Sequence, residues 1–125
     1  MPVIRAAEAP IFDTPDAHVT GYTSPSRGAT EICTWRLQIK PGTQSPAHWL
    51  DHEETFLQLD GTLHFSVAGE EIALNAGDAL AVPANTLFQI ANRGTQPVSA
   101  IVCLPVGAEG TLANGKVVGV PFWAR

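Results

Sequence analysis

His48 and Glu54 are the side chains of this chain best placed to do chemistry, with Asp51, His52 and Gln58 close beside them. In an extended strand, residues two apart share a face, so His48 points with Leu50. Beyond the reversal at 51–53, Glu54 shares a face with Phe56 and Gln58. Burial raises the pKa of a carboxylic acid and lowers that of an imidazole, drawing both toward neutrality. Such a pair can shuttle a proton, an effect worth ~10²–10⁴ in rate. The same two donors could instead hold a divalent metal if His52, two residues from Leu50 and two from Glu54, swung in as a third ligand. In a further reading the two residues only satisfy each other by hydrogen bonding. Glu53 faces the other way and reads as solvated. His64, between Leu63 and Phe65, faces away from its apolar neighbours, and His18 reads as a surface or interface residue. Trp49 should face out of any pocket that His48 and Leu50 line. There is no G-x-S-x-G elbow and no glycine-rich phosphate loop, so nucleophilic hydrolysis and nucleotide chemistry find no support.

The elements that must position these residues are short strands. Ten prolines and eleven glycines punctuate brief apolar runs, the pattern of an all-β sandwich or barrel. Strands are predicted over 18–23, 31–40, 55–59, 62–67, 71–74, 79–82, 87–91 and 98–104. The clearest alternates Cys33, Trp35, Leu37 and Ile39 with Thr34, Arg36 and Gln38, so its apolar set lies on one face. Asp60-Gly61 and Ala68-Gly69 read as tight hairpin turns, and Pro41-Gly42 and Gly77-Asp78 as further reversals.

A chain of 125 residues predicts a single domain. Charged residues make up 15% and hydrophobic ones 45%, a composition that forms a core. With a formal charge of −5 and no basic cluster, nucleic acid is not an expected partner. No run approaches the ~20 apolar residues of a membrane span, and the first residues lack a secretory signal, so a cytoplasmic location is predicted. Cys33 and Cys103 read as two buried thiols, and Cys103 reaches the pocket only if the parity of its strand allows it. Residues 1–16 read as an extended arm, packed on the barrel or exchanged with a second subunit, 17–106 as the barrel and 107–125 as a tail. That tail holds Val117, Val118, Val120, Phe122 and Trp123, too apolar to leave in water, so it should cover the barrel or a dimer partner.

Two segments carry a family resemblance. The first, within 42–61, reads Gly42, five residues, His48, Trp49, Leu50, three residues, Glu54, six residues, Gly61. The second, within 77–92, reads Gly77-Asp78, four residues, Pro83, Ala84, Asn85, two residues, Phe88, three residues, Asn92. Together they resemble the paired motifs of the cupin superfamily, G-x5-H-x-H-x3/4-E-x6-G and G-x5-P-x-G-x2-H-x3-N. His48 and Glu54 match the family's first-motif ligands. Leu50 and Phe88 stand where its other two histidines belong. Asn85 stands in place of a glycine, and asparagine tolerates the left-handed backbone of that turn.

The resemblance implies a single-domain jelly-roll barrel, also called a double-stranded β-helix, and a homodimer. It aims His48 and Glu54 inward among pocket walls formed by Trp35, Leu50, Phe56, Gln58 and Phe88. It further implies a divalent first-row metal (iron, nickel, manganese, copper or zinc), on a ligand set that here keeps His48 and Glu54 and would need His52, Asp51 or Gln58 to swing in, His52 first among them. Without the metal, the pair suits isomerisation, cyclisation or dehydration of a small apolar or aromatic metabolite, with Gln58 orienting an oxygen. The rivals are a metal-dependent oxygenase or polyketide-type cyclase and a non-catalytic small-molecule binding module. A fold this widely used does not by itself name a chemistry.

Overall fold

The computed structural model describes residues 1–125. Twelve strands follow one another along the chain: β1 (Ile11–Asp13), β2 (Ala17–Thr23), β3 (Ile32–Ile39), β4 (His48–Leu50), β5 (Glu54–Gln58), β6 (Thr62–Val67), β7 (Glu70–Asn75), β8 (Ala79–Val82), β9 (Phe88–Ala91), β10 (Val98–Pro105), β11 (Gly110–Leu112) and β12 (Val117–Gly119). They form two six-stranded sheets, ordered β1-β2-β3-β10-β5-β8 and β12-β11-β4-β9-β6-β7, and every pairing is antiparallel. The two sheets enclose one core, which makes a jelly-roll barrel. No helix is long and apolar enough to cross a membrane.

Alternation along the central strands builds that core. On β3, Cys33, Trp35, Leu37 and Ile39 are buried, while Ile32 and Arg36 are exposed. The neighbouring β10 sends in Val98, Ala100, Val102 and Leu104, and β6 sends in Leu63 and Phe65. His64 therefore lies on the outer side of β6, half-buried, and its Nδ1 has no partner. The Ala68-Gly69 turn joins β6 to β7 with positive φ at both residues (49° and 83°), the backbone of a type I′ hairpin. Asn85 adopts φ 59°, and its N–H bonds the Leu50 carbonyl at 2.7 Å, fixing the loop before β9 against β4.

Several sequence expectations are corrected. Asp60-Gly61 is not a hairpin: β5 pairs with β8 and β10, β6 pairs with β7 and β9, and the turn carries the chain from one sheet to the other. Gly61 is needed there, because its φ is +54° and a Cβ would lie 2.7 Å from Val98 Cγ2. Strands β1, β4, β11 and β12, each three residues long, were outside the predicted set. Within the tail, β11 pairs with both β4 and β12, and a last helical turn, Phe122–Ala124, packs on β2 and β3. The tail is only partly covered, since Val117, Val118 and Phe122 stay exposed. The cysteines are free and lie on opposite sides of their sheet. Cys33 is buried and donates to the Ala124 carbonyl (3.5 Å), whereas Cys103 is half-buried on the outer side.

Candidate functional site

Between the sheets lies a cavity with two lobes. One, of about 410 Å³, is bordered by β3, β5, β9 and β10 and by residues 14–17 before and at the start of β2. The other, of about 360 Å³, lies under the β11–β12 hairpin and the terminal turn. His48, Glu54, Trp35, Pro46 and Trp123 border both.

A local tie orients His48. Its Nδ1 lies 2.7 Å from the carbonyl oxygen of Pro46. That oxygen can only accept, so Nδ1 carries the proton and Nε2 keeps a free lone pair. Phe88, directly across the β4–β9 pairing, packs its ring on the imidazole with centroids 4.4 Å apart. Phe88 in turn meets Phe56 edge-on, and Phe56 meets Phe65. Burial in these aromatic surroundings lowers the His48 pKa below its ordinary 6.5, against the opposing pull of the Pro46 hydrogen bond.

Glu54 opens β5 opposite Val82 and is buried. Desolvation alone pushes its pKa from the ordinary 4.5 up to about 8, so the carboxyl is protonated at neutral pH. No ion pair or hydrogen bond joins it to His48, which rules out mutual satisfaction as the reason both are present. Two uncharged groups, one a proton acceptor and one a proton donor, therefore meet the same cavity separately.

The other predicted site residues divide. Trp35 and Phe56 border the cavity, and Leu50 borders only the second lobe. Phe88 backs His48 and does not line either lobe. Gln58 is buried but away from the cavity: its Nε2 donates to the Asp60 carbonyl at 2.7 Å and its Oε1 has no partner. His52 is exposed and its Nδ1 binds Asp51 Oδ1 at 2.7 Å, in the reversal outside the barrel. The same Asp51 oxygen accepts the Glu109 N–H (2.8 Å), and that bond, with His52, holds the Asp51 pKa low. Glu53 is exposed, and His18 pairs with Asp13 at 2.6 Å on the surface.

These positions decide how well a metal fits. Catalytic centres generally use about three protein ligands. No group of three His, Cys, Asp or Glu side chains converges anywhere in the chain. Hydrocarbon side chains at Leu50 and Phe88 flank His48, and His52 is tied elsewhere. The residues present do not fit a metal centre.

Sequence reasoning missed Trp123, Pro46 and the wall supplied by residues 14–17. Trp123 meets Trp35 edge-on, with centroids 6.1 Å apart, and closes the roof between the lobes. The apolar tail signalled a covering role but not that it reached the cavity.

Comparison with known proteins agrees with this architecture. The profile of the family described as "Cupin domain" matches residues 35–104. The tetracenomycin polyketide synthase protein TcmJ of Streptomyces glaucescens is 29% identical over 101 residues, covering 79% of this chain and 68% of that one. The polyketide cyclase RemF of Streptomyces resistomycificus superposes with a TM-score of 0.76 at 15% identity, covering 98% of this chain and 88% of that one. A cupin-superfamily sugar phosphate isomerase from Silicibacter pomeroyi superposes with a TM-score of 0.70 at 16% identity, covering 90% and 82%. At such identities the two structural matches speak for the fold alone.

Proposed function

The chain belongs to the cupin domain family, and from that premise we propose that it is a cyclase acting on a small aromatic or polyketide-like metabolite by acid–base chemistry between His48 and Glu54. The observation that carries this reading is the pair of uncharged, unpaired groups facing one cavity: a free imidazole Nε2 and a protonated carboxyl. The likeness to TcmJ supports the substrate class.

Ring closure by an aldol reaction uses both groups. His48 Nε2 takes a proton from the carbon beside one carbonyl, and that carbon bonds to a second carbonyl carbon. Glu54 delivers its proton to the oxygen that becomes a hydroxyl. The step leaves imidazolium and carboxylate. Loss of water then restores both: Glu54 removes the next proton from carbon, and His48 protonates the departing hydroxyl. Glu54 and His48 thereby end the cycle in the protonation states in which they began it.

An aryl 1,5-diketone tests the proposal, because its closure to an arylcyclohexenone is followed by ultraviolet absorbance. Wild type should accelerate closure, and His48→Ala and Glu54→Gln should each lower the rate by ~10²–10⁴. No acceleration by wild type, or full activity in both variants, overturns the reading.

The outer face of β5, β8 and β10 supports a homodimer. Leu57 (45% exposed) lies there between Ala79 and Ile101, beside Leu59 and Ala81. The patch is apolar at its centre, with Arg36 beside Ile101 at its β3 edge, so it can meet its own copy while that guanidinium stays at the rim. Leu57→Glu should give a monomeric mass by light scattering, and an unchanged dimer, or a monomeric wild type, refutes the interface.

A further inference from the structure

We propose that the lobe under the β11–β12 hairpin is a second subsite for the same ligand, holding an uncharged apolar extension of the molecule whose reacting end lies beside His48 and Glu54. The proposal rests on the catalytic reading above only for the identity of that reacting end.

The geometry of the second lobe points this way. It shares five bordering residues with the first, so a molecule spanning both would pass beside the Trp35–Trp123 contact. Its remaining walls include Leu50, Leu112, Val118, Val120 and Pro121, all hydrocarbon. Arg125 is the one cation at its edge. Its Nε donates to the Val120 carbonyl (3.3 Å) and its guanidinium lies over Phe122 (5.0 Å to the centroid), so the charge already has local partners. A glycine lets two of these walls close on each other: a Cβ on Gly110 would lie 3.2 Å from Val118 Cγ2 and 3.5 Å from Leu50 Cδ1.

The roof of the lobe is fastened to the barrel. Arg27 donates from Nε to the Tyr22 carbonyl (2.7 Å) and from Nη2 to the Trp123 carbonyl (3.2 Å). The Ser26 N–H bonds the Arg125 carbonyl (3.3 Å), and Cys33 reaches Ala124 from below. Gly21 leaves room for this contact, since a Cβ there would lie 2.7 Å from Arg27 Nη2. A tail fixed at three points presents a wall of defined shape, which is what a subsite requires. Each lobe has the volume of a small-molecule pocket. The ligand class that fits is an aromatic molecule with one polar, reactive end and an apolar chain or further ring at the other.

Para-alkylphenols from ethyl to nonyl probe the lobe directly by calorimetry on the full chain. In wild type, affinity should rise about fourfold per added methylene until the lobe is full. Leu112→Trp and Val120→Trp each plug the lobe at its partly exposed wall. Both should flatten that rise and leave ethylphenol affinity within about twofold, and a thermal melt identifies any variant that fails to fold. A flat series in wild type, or an unaltered rise in the folded plug variants, overturns the subsite. The two proposals fail separately. A chain-length rise without diketone closure removes only the catalytic reading. Closure without a chain-length rise removes only the subsite.

Discussion

Replacing Glu54 by Gln tests the protonation state on which the site depends. The Glu54 carboxyl titrates at an ordinary 4.5 in an unfolded chain and at about 8 in the folded one. Between those values the folded protein holds a proton that the unfolded chain has released. Stability therefore falls as pH rises through this window, by about 1.4 kcal/mol per pH unit, and levels off above the folded value. The full window amounts to a loss on the order of 5 kcal/mol, a large share of the stability of a small domain. Gln is nearly the same shape and cannot ionise, so Glu54→Gln should lack this slope. The two proteins should be nearly equally stable near the ordinary carboxylate pKa, and the variant more stable by roughly 3 kcal/mol at neutral pH. His48 contributes the opposite slope. Its lowered folded pKa means that the unfolded chain takes up a proton first, so stability is lost as pH falls below 6.5. That term is common to both proteins and cancels in their difference. Urea titrations followed by tryptophan fluorescence, at several pH values from mildly acidic to mildly alkaline, measure the gap. A gap that does not widen with pH, or a variant less stable than wild type under alkaline conditions, would refute a buried neutral Glu54.

Further consequences follow from the same geometry. For diketone closure, kcat/KM should fall as pH rises through about 8, where Glu54 loses its proton, and should persist below 6.5 because His48 stays neutral there; a pH–rate profile checks both limbs. The pair Leu50→His with Phe88→His adds two imidazoles beside His48 and should retain near-stoichiometric divalent metal after dialysis against chelator, where wild type retains little. Elemental analysis decides, and a folded variant that stays metal-free refutes the account of the missing donors. Gly61→Ala forces a Cβ to 2.7 Å from Val98 Cγ2 at φ +54° and should cost about 1–3 kcal/mol in urea unfolding; a loss below measurement error would show that the turn adjusts.

What the sequence made legible was alternation and local backbone chemistry. Cys33, Trp35, Leu37 and Ile39 advertise their shared face because the strand period repeats over eight residues. Ala68-Gly69 and Asn85 advertise turns because few residues suit a left-handed backbone. The Asp60-Gly61 signal is equally local, so it marks a reversal without saying which sheet receives the next strand. Parity placed Gln58 on the inner face correctly but could not tell how far along the barrel it lies, and it lies at the Asp60 end. The same rule left His52 free to swing inward, whereas its bond to Asp51 keeps it outside. Strands of three residues are too short to show a period, so β11 and β12 were invisible as elements. Trp123 reaches the cavity only through the pairing of those short strands and the Arg27 contact, which no local pattern encodes.

Leu50, Phe88 and the protonated Glu54 are best understood as one change. A carboxylate beside a divalent cation stays ionised, because the cation repays its desolvation. With hydrocarbon at both neighbouring donor positions, nothing cationic faces Glu54, and burial alone sets its pKa. The same hydrocarbon makes the second lobe apolar through Leu50 and packs the His48 ring through Phe88. Exchanging donors for hydrocarbon thus converts a site that could ionise Glu54 into one holding a neutral acid and a neutral base. The two-histidine variant should run that conversion backwards. Bound metal should pull the Glu54 pKa down and remove the alkaline limb of any remaining activity. Metal binding that left the limb near 8 would mean that burial and the missing donors act independently.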